Sequence, residues 1–445
     1  MTTVLFSIIY FGLYDFYFDT VNTKLFIAFI ILILPLLLYK DIFHPLIVYS
    51  LFQSLVLIDL LNKSLEKPIH LRYLFSSANE AKSFLSSSIT LWSIWYLLLL
   101  VGFAFSNKVK LYHKKKCNGG ELNYDIKFPT IIALIFILLG SVSFFYAMFV
   151  INSGFSSMLE SMRQRVETYE GLAYVTFFTQ LGVVGSILLL FRKHKVLSII
   201  TLVIFSFMIS LYGSRGTVLN LLISYMLAYN YKIKKINIYK IAFVGFVGLL
   251  FVKIYGEQRF SGKFSLNNDT NNIVDLIAYA ASQKQSGDIL PSLIGALKKN
   301  VIDFQLGKDF FNIIFAPIPR KLWETKPQID HTGIIGKLLM GEDFWGLPAG
   351  AYGWIYLNFW WFGIIFFGFM TGFIAAKIYK YAIYQARRGS DYVFLFYILS
   401  VTSLMEMFTT ASQVRIIFYF LIIMILKLMD KIILAFHNRH RLLLR

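Results

Sequence analysis

The sequence predicts an all-α polytopic membrane protein, and three observations predict it. Hydrophobic residues make up 57% of the 445 and charged residues 15%, where soluble domains run near 45–50% and about 25%. The apolar residues gather into runs long enough for helices of about 20 residues, the length a bilayer demands. Lys and Arg collect in every second connection, as cytoplasmic loops of membrane proteins do. The single cysteine, Cys117, leaves no internal disulfide framework and no thiolate metal cluster. The N-terminus lacks a basic stretch followed by a small-residue cleavage site, so it reads as a first span, not a removable signal.

About 12 spans are expected, near 4–20, 24–39, 42–61, 84–106, 129–151, 172–191, 196–212, 216–230, 238–255, 350–376, 392–411 and 414–430. Together they form one integral membrane domain over 1–445. The first contains Asp15, and the eighth is short and broken by Asn220. Basic clusters lie at Lys108–Lys116, Arg192–Lys195, Lys232–Lys240, Lys377–Arg388 and in the tail after Asp430. With 12 spans they share one side with both termini, and the positive-inside rule makes that side cytoplasmic. The net charge of +19 is thereby explained by topology and anionic lipid contact, with no nucleic-acid partner.

The opposite side carries the unusual features. Between spans nine and ten runs a loop over 256–349, with ten basic and ten acidic residues. Loops beyond roughly 12–15 residues are usually functional or disordered, and the Trp, Phe and Ile content of this one argues for packing. A second external segment, 152–171, holds Arg163 and Arg165. There Ser157 and Glu160 have capping-box spacing, and Met158, Leu159, Met162 and Val166 share a helical face. Its arginines face either a cavity or lipid phosphates.

Spans seven and eight are joined by Gly213-Ser214-Arg215-Gly216. Arginine forks bidentately onto phosphate, glycine lets backbone N–H groups approach closely, and a helix N-terminus favours anions. The turn therefore reads as a phosphate site, against the alternative of a snorkelling arginine. In the long loop, Pro317-Ile318-Pro319-Arg320 through Lys326-Pro327 is stiff, because proline fixes its own φ and restrains its predecessor. It presents Arg320, Trp323 and Lys326 as a sugar-binding surface or as a rigid structural turn. His331 is a candidate general base, with Glu324, Asp330, Glu342 and Asp343 as alternatives. Glu406, inside span eleven, is expensive in a bilayer and has Arg415 one short turn away, as an ion pair or a substrate contact. No Asp-x-Asp pair faces outside, and no phosphate-cradling Gly-Lys-Ser/Thr loop occurs. That leaves chemistry on a phosphate-bearing substrate with arginines neutralising the charge, no metal and no cofactor.

The Gly213–Gly216 turn, the Pro319-Arg320-x-x-Trp323-x-x-Lys326-Pro327 run and the glycine-rich span Gly350–Gly372 resemble the Wzy-type O-antigen or capsule repeat-unit polymerases, roughly from Arg163 to Arg415. The resemblance implies a membrane glycosyltransferase of C-type fold in the bacterial inner membrane. Its reaction would extend undecaprenyl-diphosphate-linked repeat units on the periplasmic face, without a metal, beside a chain-length regulator. Carried onto this chain, Arg215 would hold the donor diphosphate, with Arg165, Arg259 or Arg320 adding charge. Trp323, Lys326 and Arg163 would meet sugar, and His331, then Glu324, would serve as base. An O-antigen ligase uses the same kind of donor with another acceptor. A lipid-linked oligosaccharide flippase would instead place charge along the midplane and show related halves.

Overall fold

The computed structural model describes residues 21–65, 77–106, 130–161, 168, 173–261, 273–282, 286–315, 318, 322–327, 335–337, 349–387 and 391–443. Among these residues the regular structure is helical, with no strand. The chain runs α1 (Val21–Leu38), α2 (Pro45–Leu65), α3 (Ala78–Phe105) and α4 (Thr130–Tyr146), which continues as a π-turn over Ala147–Ile151. Then come α5 (Phe155–Ser161), α6 (Ala173–Phe191), α7 (Lys195–Ser210), α8 (Arg215–Lys232) and α9 (Ile238–Ser261). The long loop contributes α10 (Ile273–Ser282), α11 (Ser286–Lys298) and α12 (Lys308–Asn312). The chain ends with α13 (Gly350–Arg387), α14 (Asp391–Leu404) and α15 (Thr410–Leu443).

Eight helices are long and apolar enough to cross a membrane: α1, α2, α3, α4 with its π-turn, α6, α9, α13 and α15. This is a membrane protein. The expected count of 12 is not reached among the described residues, for physical reasons that differ by element. The first expected span lies outside them. Helices α7 and α14 are apolar but only 16 and 14 residues long. At 1.5 Å per residue they rise about 24 and 21 Å, short of the roughly 30 Å hydrocarbon core. Helix α8 has 18 residues but carries Arg215, Asn220, Asn230 and Lys232.

Three boundaries also differ from expectation. Helix α9 continues past Gly256 to Ser261. Helix α5 begins at Phe155, so Ser157 sits inside it and is no cap; the chain turns instead at Gly154, whose φ is 136°. The expected span 350–376 is broken at Trp360, with φ 55° and ψ −150°. Ahead of the break, every residue from Ala351 to Asn358 is buried.

The chain forms two compact units. The first comprises 1–115, 267–379 and 402–414. Here α1, α2 and α3 pack together, and the loop helices α10 and α11 lie on α2 and α3. Helix α11 is buried at Gly287 and from Ile289 through Leu297. It is fastened at both ends, by Lys63–Asp288 at 3.4 Å and Lys299–Glu80 at 2.8 Å. Helices α3 and α13 meet backbone to backbone: a Cβ on Gly372 would lie 1.9 Å from the Leu99 carbonyl oxygen, and one on Gly102 2.0 Å from that of Phe369. Small residues let membrane helices approach in this way.

The second unit comprises 116–266, 380–401 and 415–445. Helices α4, α6 and α7 form its centre, keyed by the Phe205 ring against Gly182 and Gly140. One end of this unit gathers the basic connections. Lys232 pairs with Asp391 and donates to the Ala386 carbonyl, Tyr392 donates to Asp430, and Arg192 lies within electrostatic reach of Asp430.

Candidate functional site

At the other end of the second unit α7 gives way to α8, and the residues of that turn define a polar site. The turn closes through the Gly213 N–H donating to the Ser210 carbonyl at 2.8 Å. Gly213 has φ 71°, a left-handed conformation that glycine adopts without penalty. Ser214 precedes α8 without capping it; its hydroxyl instead meets Thr217 at 2.6 Å. The first N–H groups of α8 therefore have no side-chain cap from Ser214, and such groups attract anions. Gly216 is exposed, and a Cβ there would meet nothing within 4 Å, so the space beside Arg215 is open.

The Arg215 guanidinium donates from Nη1 to the Val252 carbonyl of α9 at 3.3 Å. That bond brings it to the residue preceding Lys253, which is only 3% exposed. Helix α9 is otherwise turned outwards: 17% of its apolar window is buried. Lys253, Tyr255 and Gly256 are buried while Phe243, Val244, Phe246 and Val247 are exposed. A helix that shows its apolar residues outwards and tucks a lysine and a tyrosine in marks a polar interior at that level. Intramembrane charge is costly and defaults to function.

Three further side-chain hydrogen bonds lie within the same unit. Tyr255 shares a bond with Ser210, Tyr212 with Thr179 at 2.9 Å, and Tyr419 donates to Gln180 at 3.3 Å. Arg415 lies on α15, within electrostatic reach of Tyr419. Three cations, Arg215, Lys253 and Arg415, thus accompany a set of buried hydroxyls and amides joined in separate pairs. Of its members, the sequence singled out only Arg215 and Arg415. Lys253 was legible as a charge inside the ninth apolar run; the tyrosines were not.

The remaining candidates fall elsewhere. Glu406 is in the first unit, half-buried, within electrostatic reach of the Tyr49 and Tyr352 hydroxyls. It belongs to the first unit and Arg415 to the second. In the proline-flanked run, the Lys326 ammonium donates to the Ile318 carbonyl at 2.7 Å and the residue is 8% exposed. Trp323 donates to Thr325 at 3.0 Å and packs edge-on to Phe315. Both side chains make contacts within this segment. Glu324 is exposed. His331, Arg163, Arg165, Arg320, Asp330, Glu342 and Asp343 lie outside the described residues, as does the side chain of Arg259.

A family model described as "Putative O-antigen polymerase" matches residues 41–420, most of the chain. The chain belongs to the O-antigen polymerase family. No curated protein and no solved structure matches it. Membership assigns this O-antigen polymerase family protein a general role in O-antigen synthesis, as an enzyme of glycosyltransferase type. The match spans all of these polar residues, from Thr179 to Tyr419.

Proposed function

We propose that this protein joins polyprenyl-diphosphate-linked oligosaccharide repeat units into a surface polysaccharide, on the non-cytoplasmic face of the bacterial inner membrane. The observation that carries the reading is Arg215 at the open N-terminus of α8, bonded to the helix that buries Lys253. It is supported by the collection of Arg192, Lys232 and their partners at the opposite end of the same unit. Basic connections mark the cytoplasmic side, so the α7–α8 turn lies on the outer side, where 12 spans with both termini inside would put it.

The reaction joins an acceptor hydroxyl to the anomeric carbon of a donor sugar. The new C–O bond forms as the bond from that carbon to the diphosphate breaks. The diphosphate leaves with the electron pair, and the hydroxyl proton passes to a base. Negative charge grows on the leaving group as the bond stretches. Arg215, Lys253 and the first N–H groups of α8 stabilise it more in the transition state than in the ground state. They replace a metal in that role. Arg165, Arg259 and Arg320 are further candidates for the same charge, and Arg163 for sugar contact; His331 is the first candidate base and Glu324 the second. An undecaprenyl tail explains why the site sits among membrane helices, and a chain-length regulator is the expected partner.

The test is complementation of a deletion strain, with surface polysaccharide resolved on a gel and membrane insertion checked by immunoblot. Arg215→Ala is expected to insert normally and to cut chain extension by about 10²-fold or more, the cost typical of losing one transition-state donor. Arg215→Lys should not restore it, since an ammonium cannot fork onto a phosphate. A full ladder from the alanine variant removes Arg215 from the site.

A further inference from the structure

In the first unit, the loop segment around α12 turns large apolar side chains outwards. Leu306, Phe311 and Ile314 are 78%, 71% and 71% exposed. Single exposed apolar residues are ordinary, whereas a group of them marks a contact surface. Phe311 and Ile314 stand three residues apart, in α12 and the 3-10 turn Ile313–Phe315 that follows it, so they share a side. Phe310, between Leu306 and this pair, points inwards. Its ring lies 4.7 Å from that of Trp354, 5.1 Å from Phe359 and 5.4 Å from Phe367.

The segment is docked on the break in α13. Trp360 holds φ 55° and ψ −150°, a conformation that a bulky residue keeps only where its surroundings impose it. Three residues before it, the Leu357 carbonyl accepts from the Gln305 N–H at 3.0 Å, so loop backbone bonds directly to the helix. Gly307, at φ 81°, runs against the Phe359 ring, 2.8 Å from where a Cβ would sit. Irregular backbone at membrane depth is tolerated where protein covers it, and here the loop segment supplies cover.

The break falls at the edge of the bilayer. From Trp361 to Lys380, in the basic end of α13, is about 20 residues and about 30 Å, the thickness of the hydrocarbon core. Trp360 is 56% exposed, and tryptophan favours the headgroup level at that edge. Phe362, Ile365 and Phe366 are exposed at helical spacing on the same helix, as the lipid-facing strip of a span is. The strip runs on into the loop segment through rings: Phe362 stacks on Phe366, Phe366 meets Phe367, and Phe367 stacks on Phe310. Lys308 is exposed in the same segment. A lysine there reaches lipid phosphates while its stem lies along apolar surface.

We infer that the segment 306–314 is an interfacial anchor seated in the bilayer, on the side opposite the basic end of α13. Leu306, Phe311 and Ile314 lie among the lipid chains and Lys308 at the headgroups. The partner is lipid because the surface continues a lipid-facing helix and sets a cation where the phosphates are. Leu322 is also exposed but stands outside this surface: the exposed Glu324 two residues on holds its run in water, since a carboxylate is costly in hydrocarbon. The long loop is thereby tied down twice, by α10 and α11 on α2 and α3 and by this anchor in the membrane. Lipid contact at the three residues does not depend on the chemistry proposed for Arg215.

The experiment uses the full-length protein with Cys117→Ser, reconstituted into vesicles of phosphatidylethanolamine and phosphatidylglycerol. Phe311→Cys and Ile314→Cys each carry an environment-sensitive nitrobenzoxadiazole label, and Leu322→Cys carries it as the aqueous reference. Leu306→Cys replaces either of the first two if it fails to fold. Two quenchers are compared: lipid bearing a nitroxide just below the headgroup, and iodide in the water. At Phe311 and Ile314 the emission is expected to shift to shorter wavelength than at Leu322, to be lost to the nitroxide lipid and to be spared by iodide. Emission at both sites that matches the reference and is lost to iodide overturns the proposal. Shifted emission that neither quencher reaches overturns it too, because protein, from a second copy or another part of this chain, then covers the face. Lipid quenching at only one of the two sites breaks the shared side and also overturns it. Polymerising activity is not read in any arm, so the proposed reaction and the anchor stand or fall separately.

Discussion

Gly213 and Gly216 flank the same arginine and are predicted to behave oppositely on substitution. Gly213 is held at φ 71°, and a side chain there incurs roughly 1–2 kcal/mol of left-handed strain. Gly213→Ala should therefore lower the thermal midpoint in detergent, whereas Gly216→Ala, with open space around it, should leave it within about 0.5 kcal/mol of wild type. A Gly216→Ala protein that unfolds as early as Gly213→Ala would show the space to be occupied. Lys253 invites a different comparison. A buried charge commonly costs stability and is retained for another reason. Lys253→Met is thus expected to hold or raise the thermal midpoint while reducing chain extension, read from the same samples. A loss of folded protein with normal polymer in the survivors would make Lys253 structural.

Among the elements, the crossing of α3 and α13 is the least forgiving. The Leu99 and Phe369 carbonyl oxygens occupy the space where Gly372 and Gly102 would carry a Cβ, so only backbone movement makes room. Overpacking of this kind typically costs about 1–3 kcal/mol, and Gly372→Ala should show it as a lower yield of folded protein by size-exclusion. Truncation of Leu293 on α11, 0% exposed, should cost about 2–5 kcal/mol; a loop helix that merely rests on the surface would tolerate it. The apolar runs made α1 to α4, α6, α9 and α15 legible, because length and hydropathy alone decide a span. The break in α13 was not, because Trp360 sits in a run without proline that reads as one unbroken span. Asp59 and Lys253 did carry a signal, an ionisable group inside an apolar run, the one that drew attention to Glu406.

At the scale of the whole molecule, the basic connections gathered at one end of the second unit predict its membrane orientation, and labelling measures it. Cys117 is the only cysteine, so Cys117→Ser gives a silent background for single-cysteine labelling. Leu322, 80% exposed in the long loop, should react as Leu322→Cys with a membrane-impermeant maleimide on intact spheroplasts. Lys193→Cys, in the tight turn between α6 and α7, should react only after permeabilisation. The converse labelling pattern would invert the membrane orientation and place the α7–α8 turn with the nucleotides and metabolites of the cytosol.

The bond from Gly287 to Asp59 spans 228 residues of sequence. During synthesis, α2 must enter the bilayer before this donor exists and wait while the ribosome adds 228 more residues, about half of the chain. Only when α11 emerges can the nascent N-terminal hairpin be sealed. Chains released early by truncation would leave that one carboxylate without its Gly287 donor, a vulnerability built into the order in which the gene is read.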